Sequence, residues 1–135
     1  MTKPKVIMVV NDDLDILMVI ETILQEEGYR VVREDETIVD PQKVLRVKPD
    51  LLIVGQRVEG NYSDWQLVQH LSLTRATATI PILICTTKEW LVQAQYDGFK
   101  TKHLSFLLKP FDLDDLISLV GEMLTNAEVV EEASA

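Results

Sequence analysis

Five short runs of apolar, β-favouring residues alternate with longer segments whose apolar residues recur at helical spacing, and this alternation restricts the fold more than any other property of the chain. The runs are Val6–Val10, Tyr29–Arg33, Leu51–Val54, Ile82–Cys85 and Leu104–Leu108. A continuous apolar run, unlike an alternating one, is the pattern of a strand covered on both faces. Between them, residues 14–27 place Leu14, Leu17, Met18, Ile20, Ile23 and Leu24 on one helical stripe, which Gly28 closes. Asp40-Pro41 opens a second helix that ends before Pro49. Ser63 or Asp64 caps a third carrying Trp65, Val68 and Leu71, and Lys88–Tyr96 predicts a fourth, stopped at Asp97-Gly98. Asp112 caps a last helix through about Asn126. Strict strand–helix alternation predicts a doubly wound α/β sandwich around a parallel sheet, since crossovers between parallel strands are right-handed.

In an open sheet of this kind ligands bind outside the carboxyl ends of the strands. Those ends carry chemistry here. Val10 runs into Asn11-Asp12-Asp13, Cys85 into Thr86-Thr87, and Leu108 into Lys109-Pro110. Acid, hydroxyl and amine should therefore converge. The third strand breaks the pattern, because it ends in Gly55 and offers only backbone.

Composition narrows the classes further. A chain of 135 residues is one domain with one sheet-centred core. A net charge of −9 repels phosphate backbones and anionic membrane surfaces, so nucleic acid and membrane are not expected partners. Cys85 is the only cysteine and sits inside an apolar run, as a core residue in a reducing compartment would. No apolar stretch approaches the ~18 residues of a membrane span. Lys3-Pro4-Lys5 and the five apolar residues after it form too short a segment for a signal peptide, so a cytoplasmic location is expected. Neither His70 nor His103 stands by a plausible nucleophile, and an enzymatic role is not expected. Glu128 to Ala135 reads as an acidic C-terminal tail, a frayed helix end or a linker stub.

The segments VIMVVNDDLDI, PDLLIVG, IPILICTT and FLLKPFD, in that order and spacing, resemble the receiver domain of two-component response regulators. The resemblance covers residues 4–126. It implies a flavodoxin-like (βα)5 sandwich with strand order 2-1-3-4-5, and a place in phosphorelay signalling. In that family an aspartate ending the third strand takes a phosphoryl group, and Mg²⁺ held by acids after the first strand and by that aspartate neutralises its charge. Carried over by position, Lys109 is the lysine that contacts the phosphoryl oxygens, Thr86 the switch hydroxyl and Phe106 the aromatic that moves with it. Asp12 is the more direct metal ligand, and Asp13 an acid of secondary role. The partner of Asp12 is Asn11 and the acceptor position is Gly55, two departures. The resemblance also implies a cis Lys109–Pro110 bond.

A glycine can take no phosphoryl group. Asp50 lies at the far end of its strand, more than ~13 Å away, and Glu59 and Asp64 lie on the following loop. Two of three pocket carboxylates are gone, which leaves Asp12 to balance Lys109. At about 4 Å and an effective dielectric of about 20 that pair attracts by about 4 kcal/mol before desolvation is subtracted. No cofactor is required, and Mg²⁺ binding through Asp12 or Asp13 is expected to be weak. Asp12 and Asp13 also suit the cap of the first helix, and Thr86 could serve only as a strand-end hydroxyl. The expected role is protein recognition without aspartyl phosphorylation. Its partner is a signalling kinase, regulator or output protein, met through the fourth predicted helix with Trp90, the fifth strand and the final helix. A homodimer stays open. The alternatives are a conventional receiver with an unusual acceptor such as Asp13, and a module that binds a small molecule or anion in the vacated pocket.

Overall fold

The computed structural model describes residues 3–11, 13–34, 41–55, 63–86, 104–108 and 110–134. Their order is β1 (Val6–Val10), α1 (Leu14–Glu26), β2 (Arg30–Glu34), α2 (Pro41–Val47), β3 (Leu51–Gly55), α3 (Ser63–Leu73), β4 (Ile82–Thr86), β5 (Leu104–Leu108) and α4 (Leu113–Ser134). All strands pair in parallel in one five-stranded sheet of order β2-β1-β3-β4-β5. This is the flavodoxin-like arrangement, with the strand reversal beside β1. The helix expected at 88–96, Trp90 and the Lys109–Pro110 bond lie outside the described residues.

The period-2 rule sorts each central strand into two cores. Ile7, Val9, Leu51, Ile53, Leu83 and Cys85 face Leu17, Ile20 and Leu24 of α1 and Leu116, Val120 and Met123 of α4. Met8, Val10, Leu52, Val54, Ile82 and Ile84 face Val44 of α2 and Val68 and Leu71 of α3. Every residue of β3 is buried, as a strand covered on both sides requires. Burying each such Val, Leu or Ile contributes about 1.5–3 kcal/mol before the entropy of ordering the chain is counted.

Helix α1 departs from its expected stripe. Leu17, Ile20 and Leu24 are at most 3% exposed, but Leu14 and Met18 are 51% and 50% exposed. At 3.6 residues per turn those two lie about 90° or more around the helix from the buried line. The buried line is the one arc of α1 that faces the sheet and α4. Gly28, past the α1 C-cap, takes φ +93°, a left-handed conformation that a side chain would strain. At the other end of the chain α4 continues to Ser134, beyond the end expected near Asn126, so the backbone of the acidic stretch 127–134 is helical rather than a separate tail.

Candidate functional site

The carboxyl ends of β1 and β3 meet at one contact that organises the site. Val10 is in register with Val54, and the next residue on each strand brings Asn11 beside Gly55. The Asn11 backbone N–H donates to the Glu34 carbonyl at 3.1 Å, which extends the β1–β2 ladder by one rung. Its side chain is 6% exposed, and its Oδ1 accepts from the Asp13 N–H at 2.9 Å. That bond fixes which end of the amide is oxygen and turns Nδ2 toward Gly55. A Cβ at position 55 would stand 2.9 Å from Asn11 Cγ, 3.5 Å from its Cβ and in collision with Nδ2. The two departures that the sequence shows are one structural unit. The amide of Asn11 occupies the space that a side chain at 55 would need.

This unit predicts a strong coupling. Gly55→Ala in the native chain is expected to cost about 1–3 kcal/mol, as overpacking of a tight site does. In an Asn11→Ala background the same substitution should be neutral, or stabilising by about 0.5–1 kcal/mol, because Ala stiffens a strand position relative to Gly. Urea unfolding of the four chains of this double-mutant cycle measures the difference. A Gly55→Ala cost that is the same in both backgrounds would contradict the interlock.

Asp13 is the N-cap of α1. Its Oδ1 accepts from the N–H groups of Asp15 at 3.0 Å and Ile16 at 3.3 Å, and the residue is exposed. Asp50 is turned away from the site at the amino end of β3, where its Oδ2 accepts from the Val6 N–H at 2.7 Å. Thr86 ends β4, paired with Leu108 of β5. Phe106 is partly buried against the core on the α2 and α3 side. Asp12 and Lys109, the remaining pocket residues expected from sequence, lie outside the described residues. Among the described residues no group of three or more His, Cys, Asp and Glu is placed to hold a metal ion.

Mg²⁺ takes hard oxygen ligands and one or two carboxylates. The described donor set does not suit it. Gly55 offers no side-chain oxygen, Asn11 Oδ1 is engaged by a backbone N–H, and Nδ2 is a donor. Asp13 has its Oδ1 engaged in capping.

One charged contact near the site escaped the sequence reading. Glu34, at the carboxyl end of β2, is 3% exposed in its side chain and forms an ion pair with Lys43 of α2. Only the burial of a strand's last residue reveals it. A Glu at a run's end and a Lys on the next helix give no such signal in the sequence.

Comparison with known proteins agrees with this architecture. The response regulator receiver domain family matches residues 7–121. The chain is 25% identical over 131 residues to the DNA-binding dual master transcriptional regulator RpaA of Synechocystis, covering 95% of this chain and 52% of that protein. It is 26% identical over 126 residues to the transcriptional regulatory protein ZraR of Klebsiella oxytoca, covering 93% of this chain and 27% of that one. The chain thus spans about half or less of these two relatives. Among solved structures, the chemotaxis protein CheY4 of Vibrio cholerae superposes with a TM-score of 0.72 at 19% identity, over 90% of this chain and 99% of that one. A response regulator from Desulfuromonas acetoxidans superposes with a TM-score of 0.69 at 22% identity, over 90% and 97%. Fold, strand order and family match agree, and the chain belongs to the response regulator receiver domain family.

Proposed function

We propose that this receiver domain acts by protein recognition within two-component signalling and without aspartyl phosphorylation of its own. The observation that carries the reading is the Asn11–Gly55 interlock. The acceptor position has no side chain, and the space for one is filled by a neighbouring amide. A single lost residue could be reversed by chance, whereas a packed pair resists reversal, because each partner makes substitution of the other costly. Asp13 is a poor substitute acceptor, since phosphorylating it would disturb the cap of α1.

Recognition in this reading uses the face that β5 and α4 contribute to, where Leu108 and Leu113 are each 40% exposed; the helix expected over 88–96 lies outside the described residues. Its partner is a signalling kinase, a regulator or an output protein. The curated relatives are transcriptional regulators longer than this chain, so an output role in transcription is one such setting. The charge of −9 argues against direct contact between this domain and DNA. No helix among the described residues is long and apolar enough to cross a membrane.

The test is incubation of the chain with acetyl phosphate and Mg²⁺, followed by intact-mass measurement. No phosphoryl adduct is expected, and Mg²⁺ titration should show affinity no tighter than about millimolar for a site short of carboxylates. A stable adduct, at Asp13 or elsewhere, would establish the conventional alternative.

A further inference from the structure

A cavity of about 300 Å³ opens at the same edge of the sheet, between α1, the strands and the entry to α4. Val9, Ile53 and Cys85, each at most 2% exposed, form its inner end. Around the opening stand Ile16 and Val19 of α1 and Leu113 of α4, which are 40%, 47% and 40% exposed. The surface of the cavity is almost entirely apolar. Asn11 and Asp15 border it and add almost no polar surface. The Asn11 amide is occupied elsewhere, with Oδ1 on the Asp13 N–H and Nδ2 against Gly55.

We propose that this cavity binds a small, neutral, apolar molecule of one or two fused rings. Size sets the upper limit. An apolar cavity of about 150 Å³ accepts benzene, so about twice that volume admits two fused rings. Ligand pockets begin at about 300 Å³ and have mostly apolar walls. The lining sets the chemistry. Water needs two to four polar partners to settle in a cavity, and these walls expose almost no polar surface to offer them. An apolar body gains instead, because it gives the wall atoms the close contacts that an unfilled space denies them. A charged molecule would surrender its hydration at these walls and receive no polar surface in exchange, which costs free energy. Depth favours a free molecule over the face of another protein. The inner end lies on the central strands β1, β3 and β4, beneath the layer of α1 and α4. The site does not depend on the loss of phosphorylation, and its ligand neither needs nor excludes a phosphoryl adduct.

Four compounds decide the matter: toluene, naphthalene, benzoate and benzylammonium. Both signs of charge are included because Asp12 and Lys109 follow β1 and β5 in sequence. Each compound is titrated into the full chain and followed by amide chemical shifts. Toluene is expected to give saturable shifts at Ile16, Val19 and Phe111, and to bind about tenfold or more tighter than either charged compound. Naphthalene should bind more tightly still, since it buries more apolar surface in a cavity with room for both rings. Val19→Asp sets a carboxylate on an exposed turn at the opening, and should weaken toluene by about tenfold. Intermolecular NOEs in the native chain should connect the toluene methyl group to the side chains of Val9 and Ile53. The proposal is overturned if toluene does not saturate, if benzoate or benzylammonium binds as tightly, or if naphthalene binds more weakly than toluene. Folded Val19→Asp with undiminished affinity overturns it as well. Should that variant not fold, the NOEs carry the test, and contacts that map away from Val9 and Ile53 refute the site. If toluene does not bind and the same amides shift with protein concentration alone, the cavity is an interface between copies of the chain and the proposal falls.

Discussion

Asn11→Asp combined with Gly55→Asp is expected to give a chain that takes a phosphoryl group, where the native chain is expected to take none. The double substitution returns two carboxylates to a site where the sequence already supplies Asp12, Thr86 and Lys109. Mg²⁺ affinity should rise by about tenfold or more, since each added carboxylate is a hard oxygen ligand. Acetyl phosphate should then give an adduct by intact mass. Neither single variant should suffice. Gly55→Asp alone sets a nucleophile against the Asn11 amide, and Asn11→Asp alone provides no acceptor. The structure adds a condition. An Asp at 11 is as large as the Asn, so it must rotate away from position 55 and release the Asp13 N–H. Without metal the double variant should therefore be less stable than the native chain by about 1–3 kcal/mol, from crowding and from like charges in a confined space. A double variant that folds and stays inert would show that the divergence extends beyond these two side chains.

Lys43→Met should be among the most destabilising exchanges at a half-exposed position. It leaves Glu34, 3% exposed, without the ammonium that it pairs with. Breaking a buried pair costs about 3–5 kcal/mol, and the lower end applies here because the Lys43 side chain is 39% exposed. Against a total stability of about 5–15 kcal/mol that is a large fraction. Urea unfolding should show the midpoint fall, and Glu34→Leu added to Lys43→Met should recover most of the loss by removing the buried charge. A Lys43→Met chain as stable as the native one would mean that the pair contributes little. The consequence would reach the site, since the Glu34 carbonyl accepts the Asn11 N–H.

The layout of the sheet is legible in the order of residues alone. Val6–Val10 and Leu51–Val54 are legible because a strand covered on both faces must be apolar at every position, a local rule that needs no knowledge of partners. The cap of α1 at Asp13 and its stop at Gly28 are local for the same reason, as each depends on a few neighbouring backbone groups. That the third strand ends in Gly55, without a side chain, was also plain, because the identity of a residue at a strand end survives without coordinates. What needed the tertiary structure was every relation across the sheet. Which apolar residues of α1 are buried depended on which arc of the helix faces the sheet, and Leu14 and Met18 fell outside it. The Glu34–Lys43 pair depended on how closely α2 packs over the end of β2. That Asn11 fills the space beside Gly55, and that an apolar cavity lies next to them, follows from the register of β1 against β3. The identities of these residues are written in one dimension, but the volume they share exists only once the strands lie side by side.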